Sequence, residues 1–354
     1  MWKNISYTPE YLNNMVEMTI ENYGPDESIS NKEFVYHEYF NNPAGNALIE
    51  LALDEEKMVL AGQYVVNPKL ISVDGTVIPA ILSLNTLTRE AYRGQKIFTS
   101  LAESTYKRAE QEGYVFCYGA PNPNSHPGFI KKLSFIDLGT MPLYVRPLCI
   151  SRIVRELFGS KLLATLAIPF NLIFMSGKQE DESIVRITNE NVHLMDGFWK
   201  EIQKKYRVMG VRNAEYIKYR YLDVPIREYH PYYYVKDGKV VAYAVGRVRE
   251  VAHMQCGMIA DFLYLDGSEK EAKKLMRNLV FKMQENGAGL AGCIMQSNSC
   301  EAKLLKKLGF FRCPEKILPQ PTPIIYRRLD GSYNDETIKN WENWFFTTGD
   351  YDVV

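Results

Sequence analysis

A five-residue stretch recurs in this chain with a single change, Ser to Gly. Lys131-Lys132-Leu133-Ser134-Phe135 is matched 175 positions later by Lys306-Lys307-Leu308-Gly309-Phe310. Two further landmarks share that spacing to within one residue: Asn124-Ser125 with Asn298-Ser299, and Cys117 with Cys293. Three matches at one offset mean that one supersecondary plan is used twice, so the fold must be built from two similar units. A length of 354 residues agrees, being that of two domains rather than one.

The residue pattern within each half follows one order. In the first, Glu10 to Glu21 has the apolar spacing of a helix, and Ala47 to Leu53 and Met58 to Val66 read as strands. Asp74-Gly75 is a hairpin turn between Leu70–Val73 and Val77–Thr88. Thr99 to Glu112 is an amphipathic helix that stops at Gly113, and Val115 to Tyr118 is a short buried strand. A helical stretch from Ser125 to Leu133 follows, and Phe135 to Val145 reads as a closing strand hairpin. In the second half, Asp196–Tyr206 and Ala214–Tyr221 are expected helices, and Tyr232–Arg249 a hairpin turning at Asp237-Gly238. Met258–Leu265 then repeats the central strand and Ser268–Asn286 the long helix.

Chemistry is concentrated where the first central strand meets its helix, in Tyr92-Arg93-Gly94-Gln95-Lys96-Ile97-Phe98. A strand, a Gly-bearing turn and a helix N-terminus together form an anion site, because the first turn of a helix has amide hydrogens without partners. The pattern resembles the acyl-CoA loop of the GNAT acetyltransferases, Arg/Gln-x-x-Gly-x-Gly/Ala after a strand. That resemblance implies an α/β (α+β) fold of two tandem GNAT-like domains, each a mixed, mostly antiparallel twisted sheet flanked by helices. The expected boundaries are 1–150 for a domain with the CoA loop and 151–180 for an apolar interdomain helix. Residues 181–330 form a domain without the loop, and 331–354 a docked aromatic tail.

The resemblance also implies a set of roles. Arg93, Gly94, Gln95, Lys96, Ile97 and Phe98 would hold the diphosphate of acetyl-CoA, with the Thr99 hydroxyl as a further donor. Leu87 and Thr88 would pair with the pantetheine arm and supply a small oxyanion hole, and Asn124 would contact the same arm. Two departures from the motif stand out. Lys96 replaces the second Gly and Phe98 the final Gly/Ala, and their bulk threatens to narrow the site. In the second half the corresponding stretch is Asp266-Gly267-Ser268-Glu269-Lys270-Glu271, whose acids repel phosphate; Ser268 and Glu271 read as a capping box.

Proton handling is harder to assign. The central strand offers Ser83, Asn85 and Thr86 but no carboxylate, and the helix after Asn124 has Phe129 and Ile130 where the family often places Tyr. His126 has a suitable intrinsic pKa for catalysis, with a capping or loop histidine as the alternative. Asp261, mid-strand in an apolar segment, is either a structural hydrogen-bond hub or a contact to the acceptor amine. Tyr118 and Tyr144 are further possible donors.

Composition narrows the class. Lys+Arg and Asp+Glu both number 42, and that neutral balance argues against nucleic acid as a partner. Six cysteines without a Cys-x-x-Cys pair and five scattered histidines form no metal pattern, and the reading is reduced thiols in the cytoplasm. The apolar run Leu162–Met175 is too short to cross a bilayer and is broken by Pro169. It reads as a packed interdomain helix or, with Arg152, Arg155 and Lys161, as a membrane-surface foothold across 152–175. The expected activity is N-acetyl transfer from acetyl-CoA, without a metal, to a small-molecule amine such as an amino sugar. Two alternatives stand beside it: a catalytically inactive CoA-binding scaffold, and an aminoacyl transferase of the peptidoglycan-bridge type.

Overall fold

A computed structural model describes residues 1–177, 181–251, 253–314, 318 and 321–351. The last three positions of the expected linker, 178–180, and of the expected tail, 352–354, therefore lie outside the described residues. The chain forms two compact units, each of which is described by itself.

The first unit is built on strands β1 (Trp2–Ser6), β2 (Leu48–Asp54), β3 (Val59–Val73), β4 (Thr76–Thr88), β5 (Phe116–Gly119) and β6 (Ile136–Thr140). The four strands β1 to β4 pair antiparallel in sequence order. Leu70–Val73 is no separate strand: β3 runs unbroken through Pro68, which sits opposite Ile81. One sheet face carries helices α1 (Leu12–Tyr23) and α2 (Lys32–Phe40), through a core that includes Met15, Val35, Tyr39, Leu51 and Val65. The other carries α3 (Ile97–Gln111) and α4 (His126–Lys132), over Tyr64, Leu101, Tyr106, Cys117 and Phe129. Helix α2 was not foreseen. It is capped by Asn31, whose Oδ1 accepts the Phe34 amide at 3.0 Å, but buried His37 and Glu38 interrupt its apolar stripe.

The second unit contains β7 (Leu143–Pro147), then helices α5 (Ile150–Phe158), α6 (Lys161–Leu166) and α7 (Asn171–Phe174). After β8 (Ile184–Arg186) come α8 (Met195–Ile202), β9 (Val208–Gly210) and α9 (Ala214–Ile217). Strands β10 (His230–Lys236), β11 (Lys239–Val251) and β12 (Met254–Tyr264) form an antiparallel meander. Helix α10 (Glu269–Glu285), strand β13 (Leu290–Ile294), helix α11 (Cys300–Lys307) and β14 (Phe311–Arg312) follow. The expected capping box at the start of α10 does not form; Glu271 instead meets the Lys236 ammonium at 2.7 Å.

Two strands depart from the contiguous blocks read in the sequence. Strand β15 (Pro323–Arg328) belongs to the first unit, where it lies between β5 and β6 and pairs antiparallel with both. β7 belongs to the second, paired with β13 and β14. The expected hairpin over Phe135–Val145 is thus two strands of different sheets. Arg327 fixes β15 to its own unit, donating to the Leu133 carbonyl at 2.8 Å and facing the Tyr106 ring at 4.6 Å. The expected tail divides likewise, 331–343 falling in the first unit and 344–351, with strand β16 (Trp344–Phe345), in the second.

The internal repeat is real in three dimensions. β4–α3–β5–α4 and β12–α10–β13–α11 have the same order, and in each the two strands flanking the long helix, β4 with β5 and β12 with β13, pair parallel. Ser134 and Gly309 occupy the same left-handed turn (φ 56° and 86°) after their helices, and Cys117 and Cys293 sit on the matching short strands.

Candidate active site

The parallel pairing of β4 with β5 runs only from Ala80–Phe116 to Ser83–Gly119. Beyond that point the strands diverge and a cleft of about 160 Å³ opens between them. Its walls are Ser83 to Thr86 of β4, Gly119 at the end of β5, Ala120 to Asn122 after it, Ser125 just before α4, Phe129 within α4, and Tyr23. A bulge shapes the β4 wall: Asn85 and Thr86 together oppose the single residue Tyr64, and Asn85 adopts φ 46°. A non-glycine residue in that region holds strain of about 1–3 kcal/mol. The bulge is held from behind, where Asn85 Nδ2 donates to Tyr39 Oη at 2.8 Å and Glu38 Oε2 at 3.3 Å.

Strand alternation decides what β4 presents. The Arg89 amide donates to Ala61 of β3 at 2.9 Å, so the backbone of Leu87, two residues earlier, also faces β3. The Leu87 side chain is buried in the α1/α2 core. Of the two expected strand contacts, Thr88 alone turns its backbone amide to the open side. Two cleft hydroxyls lie nearby. Ser83 is hydrogen-bonded to Tyr64 at 2.9 Å, and Tyr64 in turn to Tyr106. Thr86 Oγ1 is buried and, among the described residues, has no partner.

The loop that enters α3 is anchored by Tyr92, whose hydroxyl donates to Asp54 Oδ2 at 2.6 Å. Gly94 then takes φ 80°, with open space where a side chain would start, and Lys96 takes φ 61°. Among the described residues, no acceptor takes up the amides of Gly94, Gln95, Lys96, Ile97 or Phe98. Lys96 and Arg93 are exposed, and Arg93 is 3.9 Å from Glu90, a weak surface pair. Ile97 points inward against Gly62, and Phe98 packs against Tyr64 and Phe129 with ring centroids 5.9 and 5.2 Å away. The bulk at 96 and 98 therefore points outward and inward respectively, and leaves the amide row open. Thr99 is not a free donor; its hydroxyl is spent on the Lys96 carbonyl at 3.0 Å.

After β5 the ordering residue is Asn122, not Asn124. Asn122 Oδ1 accepts the amides of Asn124 and Ser125, both at 3.0 Å, and its carbonyl accepts that of His126 at 3.0 Å. Asn122 lines the cleft, whereas Asn124 is exposed outside it. The Asn-Pro pair at 122–123 was the available signal, since Asn before Pro favours a side-chain-closed turn. His126 Nε2 lies 2.7 Å from Asp137 Oδ1, outside the cleft lining. Tyr118 and Tyr144 are core residues, the second on β7 of the other unit.

In the second unit the same divergence exists but is filled. β12 and β13 pair from Cys256–Leu290 to Ile259–Cys293, and the chain's own segment 344–351 enters beyond them. Thr347 bridges to Met295, the Gln296 amide donates to Phe346 O at 3.0 Å, and the Thr348 hydroxyl donates to Ala260 O at 2.8 Å. Asp261 is fully buried in this plug. It accepts from Thr347 Oγ1 at 3.0 Å, Arg212 Nε at 3.1 Å and the Tyr243 hydroxyl. Arg212 also grips Asp350, Nη2 to Oδ2 at 2.6 Å. Burial alone would lower the Arg212 pKa, but Asp261 and Asp350 more than reverse that and hold the guanidinium charged. Of the two readings of Asp261, the geometry is that of a structural hub.

Residues 6–135, which contain the whole diverging-strand cleft and amide loop, match the profile of the acetyltransferase (GNAT) domain. This segment is a GNAT domain. Solved structures extend the likeness to nearly the whole chain. Saccharomyces cerevisiae N-myristoyltransferase with bound myristoyl-CoA superposes with a TM-score of 0.65 at 12% identity, covering 92% of this chain and 82% of that one. A GCN5-related N-acetyltransferase from Anabaena variabilis gives 0.64 at 10%, covering 93% and 73%. A probable N-acyltransferase from Enterococcus faecalis gives 0.60 at 12%, covering 93% and 73%. At such identities the likeness is one of fold. No curated protein matches the sequence. The GNAT fold is one that transfers acyl groups from CoA thioesters, and both units here have its strand–helix–strand–helix order.

Proposed function

We propose that the GNAT unit transfers an acetyl group from acetyl-CoA to the amine of a small molecule, an amino sugar being the leading candidate, in the cytoplasm. The row of unpartnered amides from Gly94 to Phe98 carries this reading. Backbone donors at a helix start attract an anion, and Arg93 and Lys96 add mobile positive charge at the same place. Two strained non-glycine residues, Asn85 and Lys96, lie in the bulge and the loop, where a bound group would repay the strain. The Thr88 amide suits the pantetheine arm, and the cleft hydroxyls of Ser83 and Thr86 lie further along the same strand. Six unpaired thiols suit a reducing compartment.

In the transfer the amine nitrogen attacks the thioester carbon, the carbon–sulfur bond breaks, the nitrogen loses a proton and the thiolate gains one. Among the described residues, the cleft lining contains hydroxyls and amides but no carboxylate or imidazole. Burial raises the Tyr64 pKa far above the ordinary tyrosine range, and burial raises Tyr23 as well, with Arg93 opposing, so both remain protonated at neutral pH. Ser83, held by Tyr64, is then placed to donate a hydrogen bond to the departing thiolate, which takes its proton from solvent. In this reading the acceptor loses its proton to solvent, so kcat/KM should rise with pH and level off at the pKa of the acceptor. A series of amines of different basicity tests this: the midpoint should move with the amine, and a midpoint fixed for all of them would require an enzymic base.

The cosubstrate assignment is tested by calorimetric titration with acetyl-CoA. Gly94→Val places a β-branched residue at φ 80°, a conformation costing roughly 1–2 kcal/mol, and should weaken binding about tenfold. Unchanged affinity would place the diphosphate elsewhere. Thiol release with an amine panel separates an enzyme from a scaffold that only binds.

A further inference from the structure

We propose that the segment 150–175 seats this protein on an anionic lipid surface. Its sequence alone suits a packed interdomain helix. Its large apolar side chains are instead turned to water: Leu162 is 72% exposed, Leu172 74% and Ile173 70%, and Leu157, Leu166 and Phe170 are also exposed. Water-facing apolar surface on that scale marks an interaction face.

The segment is no loose linker, because its ends are tied to the second unit by polar bonds. The Leu148 and Cys149 amides both donate to Gly289 O, at 2.9 and 3.0 Å. Gln284 Nε2 donates to the carbonyls of Leu148 at 2.9 Å and Phe174 at 3.1 Å, and Arg146 donates to Ser176 Oγ at 3.2 Å. Across the segment, Asn171 Nδ2 donates to Ser151 Oγ at 2.9 Å and its Oδ1 accepts the Ser151 amide at 3.0 Å. The backbone is thus held while the apolar side chains project.

Charge selects the occupant. Arg152, Arg155 and Lys161 stand on this segment against the single acid Glu156, in a chain that is neutral as a whole. All three cations are exposed, and among the described residues none is in an ion pair. Cations beside exposed Leu, Ile and Phe match the boundary of an anionic bilayer, where headgroup charge and acyl chains meet. A second copy of this chain is disfavoured, since a two-fold contact through the same patch would press like charges together. The geometry is that of lying on a membrane: among the described residues, no helix is long and apolar enough to cross one. The segment is divided into short helices, with a 3-10 turn at Ile168–Phe170.

The test is co-sedimentation of the full chain with vesicles of phosphatidylcholine alone and of phosphatidylcholine with phosphatidylglycerol. Binding is expected to the anionic vesicles, to be weaker on the neutral ones, and to fall as salt is raised. Arg155→Gln and Lys161→Gln should each lower the partition coefficient roughly fivefold. The double variant Leu162→Glu/Leu172→Glu should lose binding by more than tenfold with an unchanged thermal midpoint, because both side chains are already solvated. Failure to sediment with anionic vesicles overturns the proposal, as does undiminished binding of the Glu variant. A lipid-free dimer that the same variant dissociates overturns it too, by making a second copy the occupant. Acetyl-CoA titration of the variant reports separately on the catalytic reading.

Discussion

Replacing Arg212 by alanine is expected to cost roughly 3–5 kcal/mol of stability, because it strips the counter-charge from two carboxylates that water does not reach. Asp261 is wholly buried and Asp350 nearly so, and Arg212 is the cation that joins them. Tyr243 and Thr347 donate to the same acids but bring no charge, and burial keeps the Tyr243 proton in place. The substitution also frees the segment 344–351, since Asp350 caps the turn that seats it by accepting the Thr347 amide at 2.9 Å. Urea unfolding followed by Trp fluorescence would measure the loss, Trp344 being buried in that segment. A change below about 1 kcal/mol would mean that the network is solvated or that the acids take up protons at little expense.

Gly62→Val should weaken acetyl-CoA binding at least about tenfold while destabilising the GNAT unit by roughly 1–3 kcal/mol. A Cβ at this position of β3 would stand 2.8 Å from Ile97 Cγ2 and 3.0 Å from Leu87 O. The second contact is backbone and cannot rotate away, so either β4 or the start of α3 must shift. Both surfaces of the proposed CoA site then move apart. Titration calorimetry with acetyl-CoA, read beside the thermal midpoint, separates the effects. Lower stability with undiminished affinity would show that the start of α3 does not hold the cosubstrate.

The elements legible in the sequence were those with local signals. Asp74-Gly75 and Asp237-Gly238 turn where their dipeptides require, and α3 and α10 follow the apolar spacing of their faces. The repeat at Lys131–Phe135 and Lys306–Phe310 reflects one helix-ending turn used twice. What could not be read is nonlocal. Nothing in Pro323–Arg328 says that it pairs with Phe116–Gly119 rather than with its neighbours in sequence, because an apolar strand suits either sheet. Helix α2 escaped because two of its polar residues, His37 and Glu38, are buried where periodicity expects apolar ones. Within the site, the amide row from Gly94 to Phe98 was read from a motif; among the described residues the structure gives those amides no acceptor. The cleft lining was missed at Tyr23 and Asn122, whose nearness to β4 depends on the fold. Asp261 was ambiguous in sequence for the same reason: its partner Arg212 lies 49 positions away.

The position of β15 has a consequence for biosynthesis. Within the first unit's sheet, β6 reaches β5 only by way of β15, which is made nearly two hundred residues after them on the ribosome. The N-terminal stretch therefore emerges with a missing rung, its β5 edge bare and its β6 unattached, and waits for most of translation before the gap closes. Such an exposed edge invites pairing with other nascent chains. Cutting the chain after residue 140 would yield an open sheet rather than a closed one.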